Sequence, residues 1–459
     1  MRRLLLLLLL VSCANNQQRA LAFLPSSSSS FVGRGNTNNN NKIIFGSIAG
    51  SDHQVKKEVD TPTQTPSTTS NNPFSSYDCI IVGSGIGGLS CAAMLSLYGY
   101  SVAVFESHYA PGGAAHGFNI RVPDIGMFTF DTGPSFFSGL NPNIKAKSSN
   151  PLRTILDAIE EEVECIPYTT FGLKFPEGDF IHTPSFGKQG GVIEKIEGKG
   201  GVSIWENVMK NMKPLEAAVD ALPTSALRAD LAVAVTTAPY LSKFAKLNPL
   251  KNLELTKPFQ SVLSNSGITQ SSFTQNWLDL LCFCLSGLDA KGTITAEMAM
   301  MMGEFYADEA TMDCPVGGAK AIVDSLVRGI EKRGGKIFLN SHVSEIIIEN
   351  GQATGIKLKK GDRRIKANKA VISNMSVWDL YGSGIVIKSE FSTKFIEERM
   401  STPVGKSFMH LHIGFKASRE ELKKLQAHYM YIDDWDRGVE AEGKNFVPFS
   451  LPKSKIPKN

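Results

Sequence analysis

Residues Tyr77 to Gly113 read YDCIIVGSGIGGLSCAAMLSLYGYSVAVFESHYAPGG. A β-branched run, Cys79 to Val82, meets Gly83-Ser84-Gly85-Ile86-Gly87-Gly88, passes into a helical pattern and re-emerges as a second apolar run, Val102 to Phe105, ending on Glu106. Strand, glycine turn, helix and strand in that order predict the opening of a dinucleotide-binding unit. Each glycine of the G-x-G-x-x-G pattern has its own task. Gly83 permits the tight turn, Gly85 lets backbone approach a pyrophosphate, and Gly88 lets the helix pack closely on the sheet. The pyrophosphate would rest on free N–H groups at the helix N-terminus, where the helix dipole favours an anion. Glu106, 18 residues beyond Gly88, stands at a strand end, where a carboxylate can accept both ribose hydroxyls.

Downstream residues decide which dinucleotide. Pro111-Gly112-Gly113 follows Glu106 directly, and Phe130-Asp131-Thr132-Gly133-Pro134 follows in turn. Two further glycine turns returning to the ligand end of the sheet suit FAD better than NAD. On these residues, and on the fuller runs ESHYAPGGAAHGF (106–118) and FTFDTGPSFFSGL (128–140), the sequence resembles the phytoene desaturase and carotenoid isomerase superfamily of flavoproteins. Within it the sequence looks most like the carotenoid isomerase (prolycopene isomerase)-like branch.

Composition bounds the remaining classes. At 459 residues the chain can hold two or three lobes, its apolar content of 42% is that of an ordinary globular protein, and a formal charge of +4 without basic runs excludes a nucleic-acid binder. No internal apolar run approaches the roughly 18 residues of a membrane span. Seven scattered cysteines (13, 79, 91, 165, 282, 284 and 314) include no C-x-x-C pair and read as thiols in a reducing compartment. Cys282-Phe283-Cys284 and His410-Leu411-His412 could each ligate a metal only if other ligands converged; packing is the simpler reading, and no metal is assigned.

The N-terminus reads as an address. Arg2-Arg3, seven leucines and Val11, then Ala20-Leu21-Ala22, form a signal peptide over residues 1–22. Residues 23–51 lack Asp and Glu and carry serine and asparagine tracts. With residues 52–74 they read as a transit peptide and disordered linker. A signal peptide cut before Phe23 and followed by such a stretch resembles the bipartite plastid presequence of algae with secondary plastids. The competing reading, simple secretion, lacks a disulfide framework.

The body divides into a first part of the FAD-binding domain (75–149), a substrate or lid domain (150–314), a return segment (315–385) and substrate-domain strands with a tail (386–459). Leu152, Ile155, Leu156 and Ile159 recur at helical spacing. Tyr168, Phe171, Phe175, Phe180 and Phe186 alternate with turn residues, predicting a small antiparallel sheet whose aromatics either line a tunnel or form a plain core. Leu231 to Pro249, flanked by lysines, is either an amphipathic element on a membrane surface or ordinary interdomain packing. Cys314-Pro315-Val316-Gly317-Gly318 opens an amphipathic helix bearing Ile322, Leu326 and Ile330. Lys336–Leu339, Val343–Ile348 and Thr354–Leu358 read as strands, Ala370–Ser373 as a fourth, and Phe408–Phe415 as a strand with both histidines on one face.

The fold expected is therefore α/β, a doubly wound FAD-binding (Rossmann-type) domain with an inserted mixed α+β substrate domain. The resemblance runs from about Tyr77 to about Pro448. It implies cofactor contacts at Gly83, Ser84, Gly85, Ile86, Gly87, Gly88, Glu106, Gly112, Gly113, Asp131, Gly133, Gly317 and Gly318, and adenine binding through the backbone at Val343. It also implies a hydrophobic carotenoid substrate, with reduced flavin relaxing cis double bonds of a lycopene-like polyene without net oxidation. A desaturase or saturase on the same scaffold is the nearest alternative. A lipid-holding escort module without catalysis, or an inactive truncated flavoprotein, is the alternative of another class. No residue is identified for proton movement. Relatives of this branch carry a further C-terminal segment that completes the flavin site, whereas this sequence ends FSLPKSKIPKN, so a truncation is expected.

Overall fold

The computed structural model describes residues 76–141, 150–221, 253–268, 272–306, 310–405, 410–415, 417–439 and 446–450. The expected presequence and linker, the 231–249 stretch, Phe408, Met409 and residues 451–459 lie outside them. No helix among the described residues is long and apolar enough to cross a membrane.

Strand β1 (Ser76–Val82) leads through helix α1 (Ile86–Leu97) to strand β2 (Val102–Phe105), which pairs with it in parallel. Both strands are buried on both faces. Cys79, Ile81, Val102 and Val104 enter one core, and Ile80, Val82, Ala103 and Phe105 the other, which is why they read as unbroken apolar runs. Lys336–Phe338 pairs in parallel outside β2, and the return strand Arg364–Ser373 pairs in parallel on the far side of β1. From there the sheet continues antiparallel through Gln352–Leu358 to Val343–Glu349. Helices α1 and Ala319–Glu331 share one core with Leu156 and Ile159, while Val343, Ile346 and Ile356 of the meander and the short helix Val377–Gly382 cover the opposite face.

The domain is thus a Rossmann-like α/β unit with a mixed sheet. Lys336–Phe338 belongs to its parallel part and not to the meander, and Phe338 stacks on Phe105 at 4.9 Å and 16°. The meander's first hairpin turns at Asn350-Gly351, both left-handed (φ 51° and 73°), the conformation this dipeptide adopts most readily.

The second lobe is mixed α+β. Phe171–Phe175 pairs antiparallel with Gly178–His182 and in parallel with His428–Ile432, which pairs in turn with Phe446–Ser450. Helices Phe273–Ser286 and Thr295–Phe305 and a long helix, Val192–Ala221, broken at Gly198, pack on this sheet. Tyr168, Phe171, Phe175 and Phe186 are buried against one another and Trp277, with Phe180 packed at the edge; these aromatics form a core. Leu156, Ile159 and Val163 pack in the core of the dinucleotide-binding unit instead, and Ser325 Oγ donates to the Glu162 carbonyl at 3.2 Å. Cys282 is buried and Cys284 exposed on the same helix, as a spacing of two residues on a helix requires. Residues 410–415 form no strand. Among the described residues no strand pairs with their backbone, and they lie against the hairpin Gly117–Val122/Gly126–Asp131, with His412 edge-on to Phe118 at 5.0 Å.

Candidate cofactor-binding site

The strand β1 ends in a turn that only glycine enters easily, since Gly83 has φ +96°. Gly83 N–H donates to the Phe105 carbonyl at 2.8 Å, tying the turn to the end of β2. Ser84 then faces inward, fully buried. Its N–H and Oγ both donate to Glu106 Oε2, at 2.8 and 2.6 Å. The other carboxylate oxygen accepts the His108 N–H at 2.8 Å. Burial alone would push the Glu106 carboxyl up, but the hydrogen bonds from Ser84, His108 and Ser107 outweigh it and hold the group below the ordinary glutamate range. Glu106 is therefore already engaged in fixing the glycine turn to the strand end. The Ser341 N–H donates to its carbonyl at 2.7 Å, which brings the connection leading to Val343 alongside it.

The remaining glycine turns converge on the same place. Gly112 N–H donates to the Ser84 carbonyl at 2.9 Å, and Gly112 bridges to Gly85. A Cβ on Gly113 would lie 3.1 Å from Gly85 Cα. Gly133 packs so closely on Ala114 that a Cβ would fall on its carbonyl oxygen. Thr132 N–H and Oγ1 both donate to the His116 carbonyl, at 3.1 and 2.6 Å. Asp131 Oδ1 accepts the N–H of Ala319, first residue of the helix Ala319–Glu331, at 2.9 Å. That contact joins the Asp131-Thr132-Gly133 turn to Gly317-Gly318, and a Cβ on Gly318 would fall on the carboxylate. Burial pushes the Asp131 carboxyl above its ordinary range, with the Ala319 hydrogen bond offsetting part of the effect. Just ahead of Gly317, Asp313 is buried in the strand Met312–Pro315, its Oδ2 accepting the Leu140 and Asn141 N–H groups at 2.7 and 3.1 Å.

The four glycine motifs singled out in sequence thus form a continuous chain of contacts that leads from the N-terminus of α1, which Ile86 opens, through Gly112-Gly113 and Asp131-Thr132-Gly133 to Gly317-Gly318. Among the described residues the first-turn N–H groups of Gly87 and Gly88 have no partner, as helix geometry dictates. The arrangement fits a dinucleotide diphosphate: a glycine-lined cradle, unpaired amide donors and an acid at the end of β2. Val343 is buried at the start of the outer meander strand, in the core that Val82 and Phe105 also enter. One residue of the cradle had no sequence signal. Asn374, one position past the return strand, donates its N–H to the Val82 carbonyl at 2.8 Å and lays its side chain over the turn. A lone asparagine after an apolar run reads only as a turn residue.

A profile of the NAD(P)-binding Rossmann-like domain matches residues 81–148. The chain is 26% identical over 421 residues to the chloroplastic prolycopene isomerase of Daucus carota, a match covering 87% of this chain and 62% of that protein. It is 26% identical over 408 residues to the all-trans-retinol 13,14-reductase of Rattus norvegicus, covering 83% of this chain and 60% of the relative. The chain therefore spans about three-fifths of the length of these relatives. Among solved structures, an oxidoreductase from Methanosarcina mazei aligns with a TM-score of 0.44 at 20% identity, covering 70% of this chain and 64% of that one.

Proposed function

We propose that this chain is a member of the carotenoid isomerase-like branch of the FAD-dependent oxidoreductase superfamily, as its similarity to chloroplastic prolycopene isomerases supports, and that it binds FAD and isomerises cis double bonds of a poly-cis, lycopene-like carotenoid in a plastid. The observation that carries this reading is the chain of contacts that links four glycine turns to the start of α1, beside an aromatic hairpin. Gly87 and Gly88 would offer their amides to the diphosphate, the turn being held by Ser84 and Glu106, and Glu106 keeps lone pairs for the ribose. Val343 would meet adenine through its backbone, and Gly317 and Gly318 would stand toward the ring system. Bound flavin supplies electron exchange with the polyene.

The chain's part is to bind and to exclude water. Phe118, Phe128 and Phe130 lie on the hairpin that ends at Asp131, with His412 against Phe118 and Phe130. Leu411, Ile413 and Phe415 present an exposed apolar row beyond it, 64%, 52% and 54% accessible. An apolar surface of this kind beside a cofactor cradle suits a substrate that is all hydrocarbon, and one delivered from a membrane surface. The chloroplastic relatives and the signal-plus-transit pattern at residues 1–50 support the plastid. The Rattus norvegicus relative keeps a saturase as the second reading. The deciding experiment incubates purified protein and a poly-cis carotenoid with reduced and with oxidised FAD, then records product mass and absorption. Isomerisation leaves the mass unchanged and shifts absorption to longer wavelength with reduced flavin only. A gain of hydrogen indicates the saturase, a loss the desaturase, and unaltered substrate in the presence of bound flavin overturns the enzyme reading.

A further inference from the structure

The residue over the glycine turn has no assigned task. Asn374 is fixed by the sheet, since its N–H extends the parallel pairing of β1 with the return strand by one more bond, to the Val82 carbonyl. Its side chain then crosses the turn. The Nδ2 atom lies 2.6 Å from where a Cβ on Gly85 would stand, the Oδ1 atom 2.9 Å from the Cβ position of Gly87, and its own Cβ 3.1 Å from that of Gly88. Three glycines of the motif are thus open on the side where this carboxamide sits, so their lack of side chains accommodates Asn374 as well as a ligand. Among the described residues the half-buried carboxamide has no hydrogen-bond partner, although it can donate two hydrogens and accept others. A neutral amide with unused donors, held by sheet register beside the unpaired N–H groups of Gly87 and Gly88, has the chemistry of a phosphate ligand.

We infer that Asn374 is a cofactor-binding residue, its Nδ2 group donating to a phosphate oxygen of the dinucleotide diphosphate. The inference rests on the FAD reading and adds a residue from the opposite end of the chain to that site. It separates from mere packing because a near-isosteric change of the donor to an acceptor alters the two roles differently. Asn374→Asp keeps the shape and places a carboxylate against the diphosphate, whereas Asn374→Ala removes the carboxamide without adding a charge.

The test is calorimetric titration of FAD into the purified apoprotein and both variants, at low and high salt, with thermal melts of each protein without FAD. The alanine variant is expected to bind FAD about 10- to 100-fold more weakly, the loss of one hydrogen bond to a charged acceptor. The aspartate variant is expected to bind more weakly still, and to recover part of the difference from alanine at high salt, where repulsion is screened. Its melting temperature should stay close to that of the native protein. FAD affinities of both variants within twofold of the native value overturn the assignment of Asn374 while leaving the flavin reading intact. Absence of FAD binding by the native protein overturns both.

Discussion

At the scale of single residues, a buried and a partly buried carboxylate in the cradle titrate in opposite senses. Glu106 is held below its ordinary range by the donors that surround it, so the unfolded chain takes up a proton before the folded one does. Its stabilisation is complete above the ordinary glutamate range and is lost as pH falls through the depressed value. Glu106→Gln keeps the shape but turns an NH₂ group toward two of the four donors. It should cost about 1–3 kcal/mol at neutral pH and progressively less as acid protonates the folded carboxyl, measured as the shift in urea midpoint at neutral and acid pH. Equal losses at both would show that the charge is irrelevant. Asp131 is raised by burial, so here ionisation disfavours the fold and the native protein gains as pH drops through the raised value toward the ordinary aspartate one. Asp131→Asn preserves an acceptor for the Ala319 N–H and removes that gain. The variant should be at least as stable as the native protein at neutral pH, with a flatter pH profile over the acidic side, whereas Asp131→Ala should lose about 1 kcal/mol as a lost helix cap. An unchanged pH profile in the Asp131→Asn protein would exclude Asp131 as the titrating group.

Between elements, the second lobe closes through one glycine. Gly172 pairs directly with Tyr429 where Phe171–Phe175 meets His428–Ile432, and a Cβ on Gly172 would fall within the tyrosine ring. Gly172→Ala should therefore destabilise by about 1–3 kcal/mol through overpacking, and Tyr429→Ala in the same protein should restore part of that loss. Additive losses in the double-mutant cycle would break the proposed coupling. This pairing joins residues that the sequence separates widely, and nothing local announces it. The stretch from β1 to Glu106 was legible because a β-branched apolar run, three spaced glycines and a helical pattern all state the same structure. The return strand was half legible: Ala370–Ser373 is apolar, but Arg364–Lys369 carries lysines and an arginine on its open side, with only Ile365 and Ala367 buried. Residues 410–415 misled in the other direction. Their alternation is real, with His412 and Gly414 turned onto Phe118 and Phe128, yet alternation makes a strand only where a second backbone accepts its hydrogen bonds. In the site, the four glycine motifs could be read because tight approach demands glycine, whereas Asn374 could not, since its role exists only once the return strand lies beside β1.

Across the whole molecule, the two lobes are built on different chemistry and should respond differently to acid. The dinucleotide-binding unit is a sheet with mainly aliphatic cores, while the second lobe surrounds a buried histidine with aromatic rings. His182 is 2% exposed, stacks on Phe171 at 4.3 Å and 15° and on Trp277 at 5.6 Å and 28°, and neither ring nitrogen has a partner among the described residues. Burial lowers its pKa to about 3. Between the ordinary histidine value and that figure the unfolded chain binds a proton that the folded lobe refuses, so stability present at neutral pH is lost on acidification, by up to about 1.4 kcal/mol per pH unit. Glu106 acts only at lower pH, which makes the aromatic lobe the first to yield. Trp277 reports on it directly, its indole N–H donating to Tyr306 Oη at 2.8 Å beside His182. His182→Phe retains the ring stacking and removes the titration; His182→Leu controls for any crowding by the larger ring. Urea midpoints followed by tryptophan fluorescence at pH 7.5 and 5.5 should fall markedly for the native protein and little for either variant. A native protein and both variants falling in parallel would move the acid sensitivity away from His182 and leave the lobe's unpaired histidine without consequence for stability.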